Sequence, residues 1–475
     1  MNRRALAGLA ALALLVVGCA STRAVQVKPL TAAPTCLVSV PSRDLLVGVA
    51  LSGGGRRAAL FGMAGLEALA AIRTAEGASL LERVDFLSSV SGGSIAAAYY
   101  AAHKPPRAVP VLAPGGGLSE AYRAFFSQTT SALGQDFERD LIRRQLTSLR
   151  WLNPSLAAVS LLEVLKARLF GETTTADVAR RQQRGDSPGL IVNMTLYNNG
   201  RRLAATNVPG DAFQYNFAAD LQRSLERQGR TVPLPPDLAR RAELLMPMTP
   251  MELGVDPCPA QLAGVVTASA SFPPLVGPIT FHPGGDVYWH AGDGGLYENQ
   301  GIESLLFLFL RQLQAQRARR IVIIAFDSSF PFSVGNRRLS RQAQPFSLFT
   351  FDFSRVPSIM EERASTYQAL FFRSLQLEGV FPDERSARVF LLRHIDAQWR
   401  PDLADLPASC RGETPPLATA GAVVERIAEI PTRLRVKSPC DRDLLATAAA
   451  KVIAQRRAEI GDFLALGPTA STTSP

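Results

Sequence analysis

An α/β fold with a mainly parallel central sheet is predicted by three features. Short continuous apolar runs recur along the chain, helical patterns lie between them, and glycine-rich turns mark several junctions. A strand buried on both faces has no polar side, so it is an unbroken apolar run and not an alternation. Leu45 to Leu51 (LLVGVAL) is the first such run; a Gly-rich turn and a helical pattern from Ala58 to about Ile72 follow it. Val84 to Val90 is the second, followed by a turn at Ser91-Gly92-Gly93 and an Ala-rich helix from Ser94 to Ala102. Leu190 to Thr195, Arg320 to Phe326 and Arg388 to Leu392 are further strands of the same kind. Between them, residues 104–185 are mostly helical in pattern, and residues 210–250 carry Pro-rich turns and a charged helix near Asp220 to Arg230. From about residue 415 there are two helical patterns. The second starts after Asp441, an N-cap residue type, and puts Leu444, Leu445, Ala448, Val452 and Ile453 on one face.

The 475 residues suffice for one to three domains, and Lys+Arg exceed Asp+Glu by 51 to 41. The resulting charge of +10 suits an anionic bilayer or substrate as well as a merely solvated surface. No basic run is interleaved with aromatics, so nucleic acid is not an expected partner. At the start, Arg3 and Arg4 precede an uncharged apolar run from Ala5 to Val17, which is short for a permanent span. The run ends in Val16-Val17-Gly18-Cys19, which resembles the lipobox of bacterial lipoproteins; an ordinary signal peptide containing a cysteine is the alternative. The lipobox reading makes residues 1–18 a signal peptide, Cys19 the lipidated residue and residues 19–43, polar with Pro and Thr, a tether. It implies a lipid-anchored protein of the bacterial cell envelope, at the outer membrane because Ala20 follows the cysteine and not Asp. Four cysteines remain, either free or in two disulfides; sequence proximity suggests Cys410 with Cys440 and Cys36 with Cys258. His103, His282, His290 and His394 are scattered, with no zinc-like spacing, so no metal is expected. Residues 467–475 are Gly, Pro, Ser and Thr among others and are expected to be disordered.

Three constellations carry chemistry. Ser52-Gly53-Gly54-Gly55-Arg56-Arg57-Ala58 lies between a buried strand and a helix, where backbone N–H groups can cradle an anion. It lacks the Walker A spacing, fits G-x-G-x-x-A with Glu76 near the distance of a ribose partner, and also fits an oxyanion hole. Ser89-Val90-Ser91-Gly92-Gly93 sits at a strand-to-helix turn, as a nucleophile elbow requires. Strict G-x-S-x-G would have glycine at 89; Ser94, flanked by Gly92 and Ala96, is the rival nucleophile but falls inside the predicted helix. Asp293-Gly294-Gly295 precedes the apolar stretch Ile302 to Leu310. A serine needs a base, and a carboxylate can serve directly in a dry site, although His290 also keeps a Ser-His-Asp triad open.

With GGGRR at 53–57, SVSGG at 89–93 and DGG at 293–295 in that order, the sequence resembles the patatin-like phospholipase family over roughly residues 44–330. Asn193 in LIVNMT, ASASFPP at 268–274 and LYENQGI after the Asp-Gly-Gly are supporting echoes. The resemblance implies a three-layer α/β catalytic domain at 44–330 with a helical insertion at about 104–185, and a C-terminal part, 331–466, packed on it. It implies Ser91 as nucleophile, Asp293 as its dyad partner, and an oxyanion hole in the Gly53, Gly54, Gly55 loop, with the Gly54 and Gly55 amides as donors. The G-G-G-x-R-A form looks like the cytosolic phospholipase branch, which maps a substrate-phosphate contact to Arg57, with Arg56 as second candidate. The implied function is ester hydrolysis of phospholipids or lysophospholipids without a cofactor; other acyl esters and non-catalytic lipid binding are the alternatives. Phe346 to Phe353 fits an acyl channel, a bilayer contact or core packing.

Overall fold

A computed structural model describes residues 24–329 apart from 75, 149, 151–153 and 274–275, residues 355–377, and residues 386–465 apart from 437. The leader at 1–18, Cys19, the stretch Phe346 to Phe353 and the tail at 467–475 lie outside the described residues.

Nine strands among the described residues form one sheet: β1 (Val25–Gln26), β2 (Leu45–Leu51), β3 (Phe86–Val90), β4 (Gly189–Leu196), β5 (Arg202–Thr206), β6 (Ile279–Gly284), β7 (Val287–Asp293), β8 (Arg320–Asp327) and β9 (Ala387–Arg393). Strands β9, β8, β2, β3 and β4 pair in parallel in that order, which is the mainly parallel sheet the apolar runs predict. Helices α1 (Gly55–Leu69) and α2 (Gly92–His103) leave the C-terminal ends of β2 and β3. Then come α3 (Glu120–Leu133), α4 (Phe137–Thr147), α5 (Pro154–Leu165), α6 (Thr175–Gln183), α7 (Phe217–Arg227), α8 (Leu238–Glu243), α9 (Leu262–Ser269), α10 (Ile302–Gln314), α11 (Arg355–Leu377), α12 (Ala420–Ala428) and α13 (Pro439–Ala465).

The three layers follow from the strand period of two. Along β2, Leu45, Val47, Val49 and Leu51 join one core with residues of α1, α2 and α13, whereas Leu46 and Ala50 join another with α10. Strand β8 repeats the division: Val322, Ile324 and Phe326 on the first side, Ile321, Ile323 and Ala325 on the second. Helix α13 begins at Pro439, two residues before Asp441, and buries Leu444, Leu445, Ala448, Val452 and Ile453.

Two features depart from the sequence reading. The tether expected at 19–43 is docked from Val25 onward: β1 pairs with β6, Lys28 bonds Asp256 at 2.9 Å, and Cys36 is bonded to Cys258. The second disulfide joins Cys410 to Cys440, the pairing that sequence proximity suggests. The other departure is the antiparallel part of the sheet, β5 to β7, and it builds the site. Strand β3 pairs with β4 up to Val90 against Asn193, and β7 continues with Asp293 against Met194. Because β5 holds the other edge of Met194 and Thr195, β3 and β7 share one edge of β4. They run toward each other and their C-terminal ends meet there.

Candidate active site

Ser91 follows the last residue of β3 and Asp293 is the last residue of β7, so the end-to-end meeting on β4 brings them together. Ser91 Oγ donates to Asp293 Oδ2 at 2.6 Å. Ser91 sits at φ 52°, a region non-glycine residues rarely enter, and the surroundings hold it there. Its N–H donates to Ser269 Oγ at 2.9 Å, and Ser269 Oγ donates to Asn193 O at 2.6 Å. A Cβ on Gly93 would come within 2.4 Å of Leu51 O, and one on Gly92 within 1.8 Å of Gly55 O, so both positions of the turn require glycine. Position 89 does not. The Ser89 side chain fits within the strand and donates to Ile191 O at 3.2 Å, so the missing elbow glycine leaves the turn intact. Ser94 is fully buried in α2 with its hydroxyl on Ser269 Oγ at 2.9 Å and not on Asp293.

Asp293 is 2% exposed. Its Oδ1 accepts the Gly295 N–H at 2.8 Å, its own N–H donates to Ser271 O, and Thr195 Oγ1 donates to its carbonyl. Burial pushes its carboxyl up to about 7, against the opposing pull of the Ser91 and Gly295 hydrogen bonds. Such a carboxylate is a stronger base than an exposed one. None of the four histidines bonds to Ser91. His290 Nδ1 pairs with Thr280 Oγ1 at 2.9 Å, His394 is buried against Asp327 O, His103 meets Leu169 O, and His282 meets Gly285 O.

The Gly-rich loop lies against this pair. A Cβ on Gly53 would be 3.3 Å from Ser91 Cβ. Gly54 and Gly55 both take positive φ, 134° and 60°. The three glycines are not equivalent. The Gly53 N–H donates to Asn299 O at 2.8 Å and the Arg56 N–H to Arg433 O at 2.7 Å. Between them, the Gly54 and Gly55 amides have no hydrogen-bond partner among the described residues. They start α1, where unpaired amides and the helix dipole favour an anion. Gly53, the third residue expected in the oxyanion hole, has its amide already bonded, which leaves the Gly54 and Gly55 amides as the available donors.

The arginines depart further. Arg57 is fully buried and donates through Nε and Nη2 to Ser328 O, at 3.1 and 2.7 Å, through Nη1 to Ile430 O at 2.5 Å and through Nη2 to Thr432 Oγ1 at 3.2 Å. A guanidinium so enclosed by carbonyls does not offer its donors to a phosphate. Arg56 is buried with its guanidinium 4.4 Å from the Phe137 ring centre, and burial lowers it to about 10. Both side chains tie the loop to residues 430–434.

Three residues whose roles the sequence did not reveal complete the arrangement. Ser269 fixes the elbow. Asn193 donates to Ser88 Oγ and Ser89 O and accepts from Ser304 Oγ, which ties β3 to α10. Asn299 holds Gly53 through its carbonyl and Ser329 through its side chain. Each lies in a string that echoes the family, which was the only available signal.

A strained serine on a strand–turn–helix, a buried carboxylate on its hydroxyl and two open amides beside it define a serine hydrolase type of site. Residues 49–306 match the model of the patatin-like phospholipase family, and the chain belongs to that family. No curated protein matches the chain. Among solved structures, human GIVD cytosolic phospholipase A2 is similar at 13% identity and a TM-score of 0.46, over 90% of this chain and 60% of that one. Its complex with methyl gamma-linolenyl fluorophosphonate gives 16% identity and a TM-score of 0.39, over 90% and 59%. VipD from Legionella pneumophila gives 13% and 0.23, over 63% and 53%. The chain thus spans about 60% of the length of the first of these structures.

Proposed function

We propose that the protein is a serine lipid acyl hydrolase, of phospholipase or lysophospholipase type, working through a Ser91–Asp293 dyad and an acyl-enzyme. The observation that carries this reading is the 2.6 Å bond from Ser91 Oγ to Asp293 Oδ2 in a site where no histidine contacts the serine. The ester carbonyl carbon is attacked by Ser91 Oγ while Asp293 takes the hydroxyl proton. The carbonyl oxygen becomes an oxyanion and is met by the Gly54 and Gly55 amides, each such donor being worth about 3–4 kcal/mol at the transition state. Collapse breaks the bond to the leaving alcohol, which receives the proton from Asp293. Water then attacks the acyl-enzyme, with Asp293 again accepting a proton and returning it to Ser91.

The membrane address at Cys19 belongs to the same proposal. Val25, which is docked, lies six residues after Cys19, a reach of roughly 20 Å at full extension. A lipidated Cys19 therefore holds the domain close to the bilayer that contains its substrate.

A serine-reactive fluorophosphonate tests the assignment. Wild type and Ser94→Ala are expected to label equally and Ser91→Ala not at all. Labelling that survives Ser91→Ala refutes the nucleophile.

A further inference from the structure

Helix α4 starts beside the oxyanion loop. The Phe137 ring lies under the Arg56 guanidinium at 4.4 Å, and Glu138 is paired with Arg435 at 3.3 Å and Arg433 at 3.7 Å. The inner face of the helix is satisfied: Phe137 and Leu141 are fully buried. Its flanks are satisfied too, Asp140 by Arg168 at 2.8 Å and Arg144 by Glu163 at 3.0 Å.

The outward face differs. Arg139, Ile142, Arg143 and Leu146 follow the i, i+3, i+4, i+7 spacing of one helix face, and all four are exposed. Ile142 is 40% and Leu146 59% exposed. Neither Arg139 nor Arg143 has an ion-pair partner among the described residues. Exposed leucines standing singly are ordinary. Here they alternate with uncompensated guanidiniums along one stripe, which is the pattern that seats a helix in an anionic lipid interface: apolar side chains enter the acyl boundary and arginines meet the headgroups. Helix α4 holds its other charges in pairs, so these two are left for a partner of opposite charge.

We infer that the Arg139–Ile142–Arg143–Leu146 face of α4 is the surface by which the protein sits on an anionic phospholipid bilayer, next to the loop that would receive the ester. This rests on the lipid-hydrolase reading for its purpose, but its test does not depend on catalysis.

The test uses the full chain carrying Cys19→Ala, which removes the acylation site, and Ser91→Ala, which prevents hydrolysis. Sedimentation with phosphatidylcholine vesicles is compared with sedimentation with vesicles containing phosphatidylglycerol. The parent is expected to prefer the anionic vesicles, and Arg139→Glu with Arg143→Glu to lower that binding about 30-fold, from roughly 1 kcal/mol per basic residue at such a surface. Any binding by the leader, which is basic at Arg3 and Arg4, is common to parent and variant and cancels in their comparison on anionic vesicles. As a second measurement, Leu146→Trp is expected to add fluorescence that is quenched by brominated acyl chains. Equal binding to the two lipids, an unchanged preference in the double variant, or an unquenched signal from Leu146→Trp overturns the inference. Hydrolysis of a short-chain soluble ester by the double variant with Ser91 intact is expected to equal that of the chain with Ser91, Arg139 and Arg143 all intact. If neither protein hydrolyses the ester, the functional reading fails and the binding result still stands on its own.

Discussion

Two strand–turn–helix units lie side by side at the C-terminal edge of the sheet, and they are held in different ways. The β3–α2 unit carries Ser91, and its strained turn is fixed by Gly92, Gly93, Ser269 and Asn193, all inside residues 49–306 that match the family. The β2–α1 unit carries Gly54 and Gly55. Asn299 holds one side of it, but Ser328, Ile430, Thr432 and Arg433 hold the other, and these lie beyond the matched residues. The proposed nucleophile is thus built by the family core, whereas the amides proposed to meet the oxyanion are positioned partly by a segment almost four hundred residues downstream. Donors of this kind act through placement, so a small displacement weakens them.

The sharpest way to break the first unit is to remove its proposed base. Asp293→Asn keeps the shape and the Gly295 hydrogen bond but cannot take the serine proton, and kcat is expected to fall by roughly 10⁴-fold. His290→Ala, which loses only its contact with Thr280, is expected to stay within a few-fold of wild type. The opposite ranking would restore a histidine base. The pH profile reads the same group. Burial raises the Asp293 carboxyl to about 7, and the base form is the ionised one, so kcat/KM should rise with pH through about 7 and then level off. Between pH 6 and 8 this is about a tenfold rise; a profile already flat from pH 5 would contradict it.

The second unit is probed at Arg57, where two roles can be separated. A clamp on the loop and a contact to substrate phosphate both predict a loss on Arg57→Lys, because an ammonium cannot reproduce the guanidinium fork. The clamp predicts that kcat falls about 10- to 100-fold on a neutral ester and on a phospholipid alike, with KM little changed. A phosphate contact predicts a penalty confined to the phospholipid. The enclosure of Arg57 by Ser328 O, Ile430 O and Thr432 favours the first outcome.

The same contrast explains what was legible in the sequence. The parallel strands β2, β3, β4 and β8 stood out as apolar runs because both their faces are buried, whereas β9 stood out through Val389 to Leu392 although Arg388 and Leu391 are exposed. Strand β5 did not, since Arg202 sits within it; that charge is buried at 1% exposure and matched by Glu303 and Leu245 O, partners a local reading cannot supply. Strands β6 and β7 were hidden by their half-exposed, mixed composition. Ser91 and Asp293 were recognisable because each stands in a short motif. The structural role of Arg57 was not, because its partners at 328, 430 and 432 lie far away in the chain and mostly offer backbone carbonyls, which have no signature in a sequence.

The disulfides carry the comparison to its smallest effect. Cys410–Cys440 closes a loop that contains Ile430 to Arg433, the residues against which Arg56 and Arg57 are held. Cys36–Cys258 pins the N-terminal segment and contributes nothing to that contact. Opening either bridge costs stability through the greater freedom of the unfolded chain, about 3–4 kcal/mol for the loop of some thirty residues closed by Cys410–Cys440 and about 5 kcal/mol for the longer one closed by Cys36–Cys258. Only the first should also loosen the loop in the folded protein. Cys410→Ser with Cys440→Ser is therefore expected to lower both Tm and kcat, the latter severalfold on a soluble ester. Cys36→Ser with Cys258→Ser is expected to lower Tm and leave kcat unchanged at temperatures where the protein stays folded. Equal kcat values in the two double variants would mean that residues 430–433 keep their place without the bridge, by α13 packing and the arginine bonds alone.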